Sequence, residues 1–132
     1  FMEIKSVTRV GEGKTSVIEI NGYKIITEPG VAAGGSGQYP PATTLIIAAL
    51  VNCMFANVKA YVAAQNLPLD DPVMEFNGNL TDDGIYDKME LLITLPGGFP
   101  EERKDRLGRV IDKCGVKKIA QNLPEITWSL KE

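Results

Sequence analysis

The chain has 132 residues, 44% hydrophobic and 23% charged, with a formal net charge of −3. That balance fits a single domain over residues 1–132 with a core that needs no disulfide staples, and it excludes the basic stripe that marks nucleic-acid binding. The sequence holds no histidine, which removes Ser-His-Asp and Cys-His schemes within one chain and the commonest metal ligand.

Phe1 precedes Met2, the expected start, and "MEIKSVTRV" has no apolar leader region. Residues 2–9 and 15–20 alternate as strands do, and Asn21-Gly22 is a two-residue hairpin signal before the strand "YKIIT". The first quarter is thus expected to be a three-stranded antiparallel meander. "EPGVAAGGSGQYPP", residues 28–41, has loop chemistry, and its small residues permit close backbone approach.

A long helix is expected over residues 42–65, capped by Thr43 or Thr44. Its first half is apolar on every side, which predicts burial all round. The small residues Ala49, Cys53, Ala56 and Ala60 recur on one face with Leu45. So short a chain needs a second subunit to help cover such a helix. The longest apolar run, residues 45–56, is interrupted by Asn52 and reads as too short for a bilayer span. The expectation is a soluble, cytoplasmic protein without a membrane partner.

"DPVMEFNGNLT" and "GIYDKMELLITLP" are two further strands around the turn "DDG", with Met89, Leu91 and Ile93 on one face. Pro100 opens a helix whose Leu107, Val110, Ile111 and Cys114 follow the i, i+3, i+4, i+7 pattern. Gly115 is then expected as the residue just past its end. "VKKIAQN" adds a short helix and "EITWSL" a last strand. Strand runs separated by helices, without βαβ alternation, make the class α+β.

Two apparent nucleotide motifs fail. "GEGKTS" has Thr8 where a phosphate-binding loop needs glycine, and a strand follows it instead of a helix. "GGSG" lacks the G-x-G-x-x-G spacing. No cofactor or metal is implied, because two cysteines cannot complete a structural zinc site.

The cysteines remain. Cys53 and Cys114 both sit at core-facing positions and are not a C-x-x-C pair. Each is a candidate small core filler, and each is a candidate thiol nucleophile. Cys53 lies mid-helix, so a thiolate there is expected to need a cation brought by the fold, from Arg or Lys. Cys114 lies at a helix C-terminus, which disfavours thiolate, and before the next expected helix, whose N-terminus favours it. Cys53 is therefore the better attacker and Cys114 the better partner.

"GGSGQYPPATTLIIAALVNCM", followed later by "KCGVKKIA", resembles the OsmC/Ohr family. The resemblance covers nearly the whole chain. It implies antiparallel sheets wrapped around a long buried central helix in an intertwined homodimer. It also implies a thiol peroxidase: Cys53 attacks an organic hydroperoxide, Cys114 resolves the product as a disulfide, and an external dithiol reduces the pair. Active members carry a glutamate about ten residues before the first cysteine, where this chain has Thr43 and Thr44. They also use an N-terminal arginine, for which Arg9 is the candidate here, with Lys14 nearby. The departure at the threonines favours an alternative, a non-peroxidase relative binding an acyl or thiol-bearing small molecule between subunits. A dimer module with purely structural cysteines is the third reading.

Overall fold

Strands β1 (Ser6–Val10), β2 (Ser16–Ile20) and β3 (Tyr23–Thr27) form the expected meander in the order β1-β2-β3. The computed structural model describes residues 2–68 and 73–132. The β2–β3 turn works as the sequence demands. Asn21 (φ 50°) and Gly22 (φ 81°) both take left-handed backbone, and Ile20 pairs with Tyr23 across them. "GEGKTS" is the β1–β2 turn, closed by Gly11 N–H donating to Thr15 O at 3.0 Å.

The chain divides into two compact units, Phe1–Ala48 and Ala49–Glu132. In the first, the Gly-rich loop after β3 is organised by one carboxylate. Glu28 is 6% exposed. Its Oε1 accepts from Ser36 Oγ at 2.6 Å and from the N–H groups of Gln38 and Tyr39 at 3.1 and 3.2 Å.

Helix α1 runs from Ala42 to Ala64. Thr43 and Thr44 lie inside its first turn and do not cap it; the N–H groups of Thr44 and Leu45 both donate to Pro41 O. The expected all-round burial is not supplied by this chain. Met54, Val58 and Val62 are its buried residues, a stripe at four-residue spacing. Ile46 is 56% exposed and Ala49, Asn52, Ala56 and Ala60 are exposed as well. The length argument against a membrane span also needs correcting. The helix continues past Asn52 and Asn57 to 23 residues, long and apolar enough to cross a bilayer. Its buried stripe instead docks on protein.

In the second unit, β4 (Val73–Leu80) and β5 (Tyr86–Thr94) form an antiparallel hairpin with an irregularity at Asn79/Leu80. The first residues of the expected strand, 71 and 72, lie outside the described residues. Pro100 opens a short 3-10 turn, Glu101–Arg103, that leads into α2 (Lys104–Asp112). Leu107 of α2 joins Val58, Val62 and Phe99 in the core cluster, with Ile93 and Ile111 packed against it.

The helix pattern does not carry through to Cys114. α2 stops at Asp112, Lys113 turns (φ −80°, ψ 50°), and Cys114 is extended (φ −90°, ψ 120°). Gly115 is the first residue of α3 (Gly115–Gln121), not a residue past the end of α2. Apolar spacing alone cannot see such a break, because Cys114 faces the core on either path.

"EITWSL" forms no strand among the described residues, and Ile126, Trp128 and Leu130 are 79%, 82% and 79% exposed. The alternation is present, but a strand exists only as a member of a ladder. No strand described in this chain pairs with it.

Candidate functional site

Cys53 projects from α1 and Cys114 from the α2–α3 corner, and the two side chains meet 3.2 Å apart with neither in a disulfide. Cys53 is half-buried and Cys114 is 2% exposed. Cys114 caps α3: its Sγ accepts from Lys117 N–H at 3.3 Å.

The corner also supplies what Cys53 was expected to draw from a cation. The Val116 N–H, then the Cys114 thiol, hold Cys53 below the ordinary thiol value against the opposing effect of burial, and the Gly115 N–H adds to them. These N–H groups belong to the first turn of α3, where they have no intrahelical partner. The groups that lower Cys53 thus lie at a helix start distant from it in sequence. Burial pushes the Cys114 thiol up, and the adjacent Cys53 raises it further. The two thiols therefore differ: Cys53 lies below the ordinary thiol value and Cys114 above it.

Sequence reasoning missed Asn57. Its Nδ2 donates to Val110 O at 3.1 Å and to Lys113 O at 3.2 Å, tying the end of α2 to α1. The available signal was a polar amide four residues after Cys53 in an apolar helix, where Asn is a poor helix former.

An apolar cavity of about 330 Å³ is bounded by α1, the β4–β5 hairpin and α3, and neither cysteine is among its lining residues. Leu50 and Met54 of α1, Phe76, Met89 and Leu91 of the hairpin, and Lys117 of α3 line it. Leu50 and Met54 flank Cys53 on its helix, and Lys117 is the residue whose N–H caps onto Cys114.

Two solved structures resemble this chain in fold. One, from Psychrobacter arcticus 273-4, carries the name of an osmotic stress induced and detoxification response protein. It aligns with a TM-score of 0.71 at 16% identity over 89% of this chain and 89% of that one. The other, an OsmC like protein from Mycoplasma pneumoniae, aligns with a TM-score of 0.63 at 17% identity over 92% of this chain and 87% of that one. The chain adopts the OsmC-like fold. No family model matches the sequence, and no curated protein matches it significantly. The likeness to the OsmC-like structures is thus one of backbone.

Within this OsmC-like chain the remaining candidates lie in the first unit. Arg9 is exposed on β1, opposite Val17 in the register, and has no ion pair among the described residues. Lys14 reaches Ala33 O at 3.4 Å and borders a cavity of about 650 Å³ that Glu28, Ser36 and Tyr39 also line. Thr43 and Thr44 are exposed in the first turn of α1 and carry no charge.

Proposed function

We propose that the protein reduces organic hydroperoxides through Cys53 and Cys114. The observation that carries this reading is the contact itself: a thiol held low by N–H donors, 3.2 Å from a buried thiol held high. The Cys53 thiolate attacks the outer peroxide oxygen and the O–O bond breaks. The alcohol leaves with a proton and Cys53 becomes a sulfenic acid. The Cys114 thiol then displaces the sulfenic hydroxyl as water, forming the disulfide. An external dithiol returns two electrons and two protons to complete the cycle. The apolar cavity lined by Leu50, Met54 and Lys117, near neighbours in the chain of the two cysteines, suits an organic peroxide better than hydrogen peroxide.

Consumption of tert-butyl hydroperoxide with a dithiol reductant tests this. Cys53→Ser is expected to abolish it, and Cys114→Ser is expected to leave a sulfenic acid that a dimedone probe traps. A Cys53→Ser variant as active as wild type ends the proposal.

The same cavity supports a second reading, in which an acyl or thiol-bearing small molecule occupies it and no peroxide is turned over. The uncharged Thr43 and Thr44 favour that alternative. A mass shift under native conditions on adding an acyl thioester, with no peroxide consumption, distinguishes it.

A homodimer belongs to either reading. The exposed apolar face of α1 and the unpaired Ile126, Trp128 and Leu130 leave more hydrocarbon in water than a lone soluble chain normally carries. Two unbridged cysteines in contact suit a reducing compartment, which makes the cytoplasm part of the proposal. Sedimentation should give twice the chain mass.

A further inference from the structure

Helix α2 ends at Asp112 with unpaired carbonyls, as every helix does. Val110 O, which also accepts from Lys113 N–H at 3.2 Å, and Lys113 O, one residue past the helix, are both held from outside it by a single side chain. Asn57 Nδ2 carries two hydrogens, and its two acceptors are Val110 O at 3.1 Å and Lys113 O at 3.2 Å. Lys113 is the residue immediately before Cys114. On α1, Asn57 follows Cys53 by four residues and so stands one turn along the same face. One helix face therefore presents both the attacking thiol and the amide that anchors the segment opposite it. The anchored carbonyl, the second thiol and the N–H groups of Gly115 and Val116 then follow one another without a break. Little slack lies between the tether and the groups that touch Cys53.

We infer that Asn57 is a positioning residue for the thiol pair: its side-chain amide sets the approach of Cys114, and of the N–H groups after it, to Cys53. This rests on the reading of Cys53 and Cys114 as a redox pair, which it deepens. A merely structural Asn57 would contribute to stability through its hydrogen bonds. It would leave the chemistry of Cys53 and the ease of bridging unchanged in any variant that folds.

The test is the thiol–disulfide equilibrium of the full chain in glutathione buffers. There one oxidised glutathione takes two electrons and two protons from Cys53 and Cys114, leaving as two glutathione thiols. Asn57→Leu keeps the volume and removes both donors. It is expected to lower the equilibrium constant for the Cys53–Cys114 disulfide about tenfold, the order set by losing a pair of neutral hydrogen bonds. The pH midpoint of Cys53 alkylation is expected to move up in the same variant. Asn57→Gln keeps the amide on a longer arm and is expected to recover part of both effects. If Asn57→Leu does not fold, Asn57→Ala, which also lacks both donors and adds no charge, provides the same two readings.

Wild type offers a measurement without substitution. The Asn57 side-chain amide protons should exchange slowly with solvent and shift in the NMR spectrum when the thiols are oxidised. Folded variants with wild-type equilibrium and alkylation profile overturn the inference, as does fast exchange of those protons. An ordinary thiol midpoint for wild-type Cys53 counts against the peroxidase reading instead. The glutathione equilibrium still judges Asn57 in that case.

Discussion

Gly115→Pro isolates one of the donors that hold the Cys53 thiolate. Gly115 is the first residue of α3, where proline is favoured, because its missing N–H would have no helical partner anyway. Cys114 before it is extended (ψ 120°), as a residue preceding proline should be. No atom lies within 4 Å of the position a Cβ would occupy. The substitution should therefore fold, with stability unchanged or slightly raised through the unfolded chain. What it removes is the Gly115 N–H that helps lower Cys53. A hydrogen bond to a charged group contributes about 1.5–3 kcal/mol. Gly115 is the weakest of the groups that lower Cys53, so the bottom of that range applies. At 1.36 kcal/mol per factor of ten, the thiolate fraction on the acid side of the titration should fall about tenfold. The assay is the second-order rate of iodoacetamide reaction with Cys53 in mildly acidic buffer, on a Cys114→Ser background. The expected result is a roughly tenfold slower rate there and a midpoint displaced upward, with rates converging in alkaline buffer. Gly115→Ala keeps the N–H and should react as wild type does. A folded proline variant with an unchanged rate profile would falsify the assignment of these N–H groups.

Two other consequences are directly measurable. Leu107 is 5% exposed and packs on Val58, Val62 and Phe99, so Leu107→Ala should cost about 2–5 kcal/mol of unfolding free energy in urea; a loss under about 1 kcal/mol would place that cluster outside the core. In the first unit, the Ser36 hydroxyl does most to hold the Glu28 carboxyl below its usual value, against the effect of burial, with the N–H groups of Ser36, Tyr39 and Gln38 assisting. A depressed carboxyl stabilises the fold above the ordinary carboxylate range, and that contribution disappears as the pH falls through the lowered value. Hydrogen exchange across residues 30–39 should thus quicken at acid pH in wild type, and in Glu28→Gln it should already be fast at neutral pH. Equal protection in both proteins at neutral pH would show that the carboxylate does not hold the loop.

Much of the local structure could be read without coordinates. Asn21-Gly22 requires left-handed backbone at two successive residues, and few sequences tolerate that outside a tight hairpin. The extent of α1 followed from a long run without proline or glycine between Pro41 and Gln65. The same reading failed where a feature depends on something distant in sequence. Periodicity carried the α2 helix on to Cys114, because a core-facing residue keeps its spacing whether or not the helix breaks at Lys113. It also made "EITWSL" a strand, though alternation only reports that one face wants cover and does not say which chain provides it. All-round burial of α1 likewise needs cover from outside this chain.

The thiol pair divides along that line. Sequence alone singled out Cys53 and Cys114, by elimination of histidine chemistry and by their apolar settings. It also ranked Cys53 as the attacker. It expected a cation as the activator, whereas the groups that lower Cys53 here are backbone N–H groups and the Cys114 thiol. Folding places the first turn of α3 and the Asn57 tether against Cys53, across more than fifty residues of chain. Backbone N–H groups are carried by every residue except proline, so their presence leaves no mark in a sequence. Only their direction makes them a site, and direction belongs to the tertiary structure.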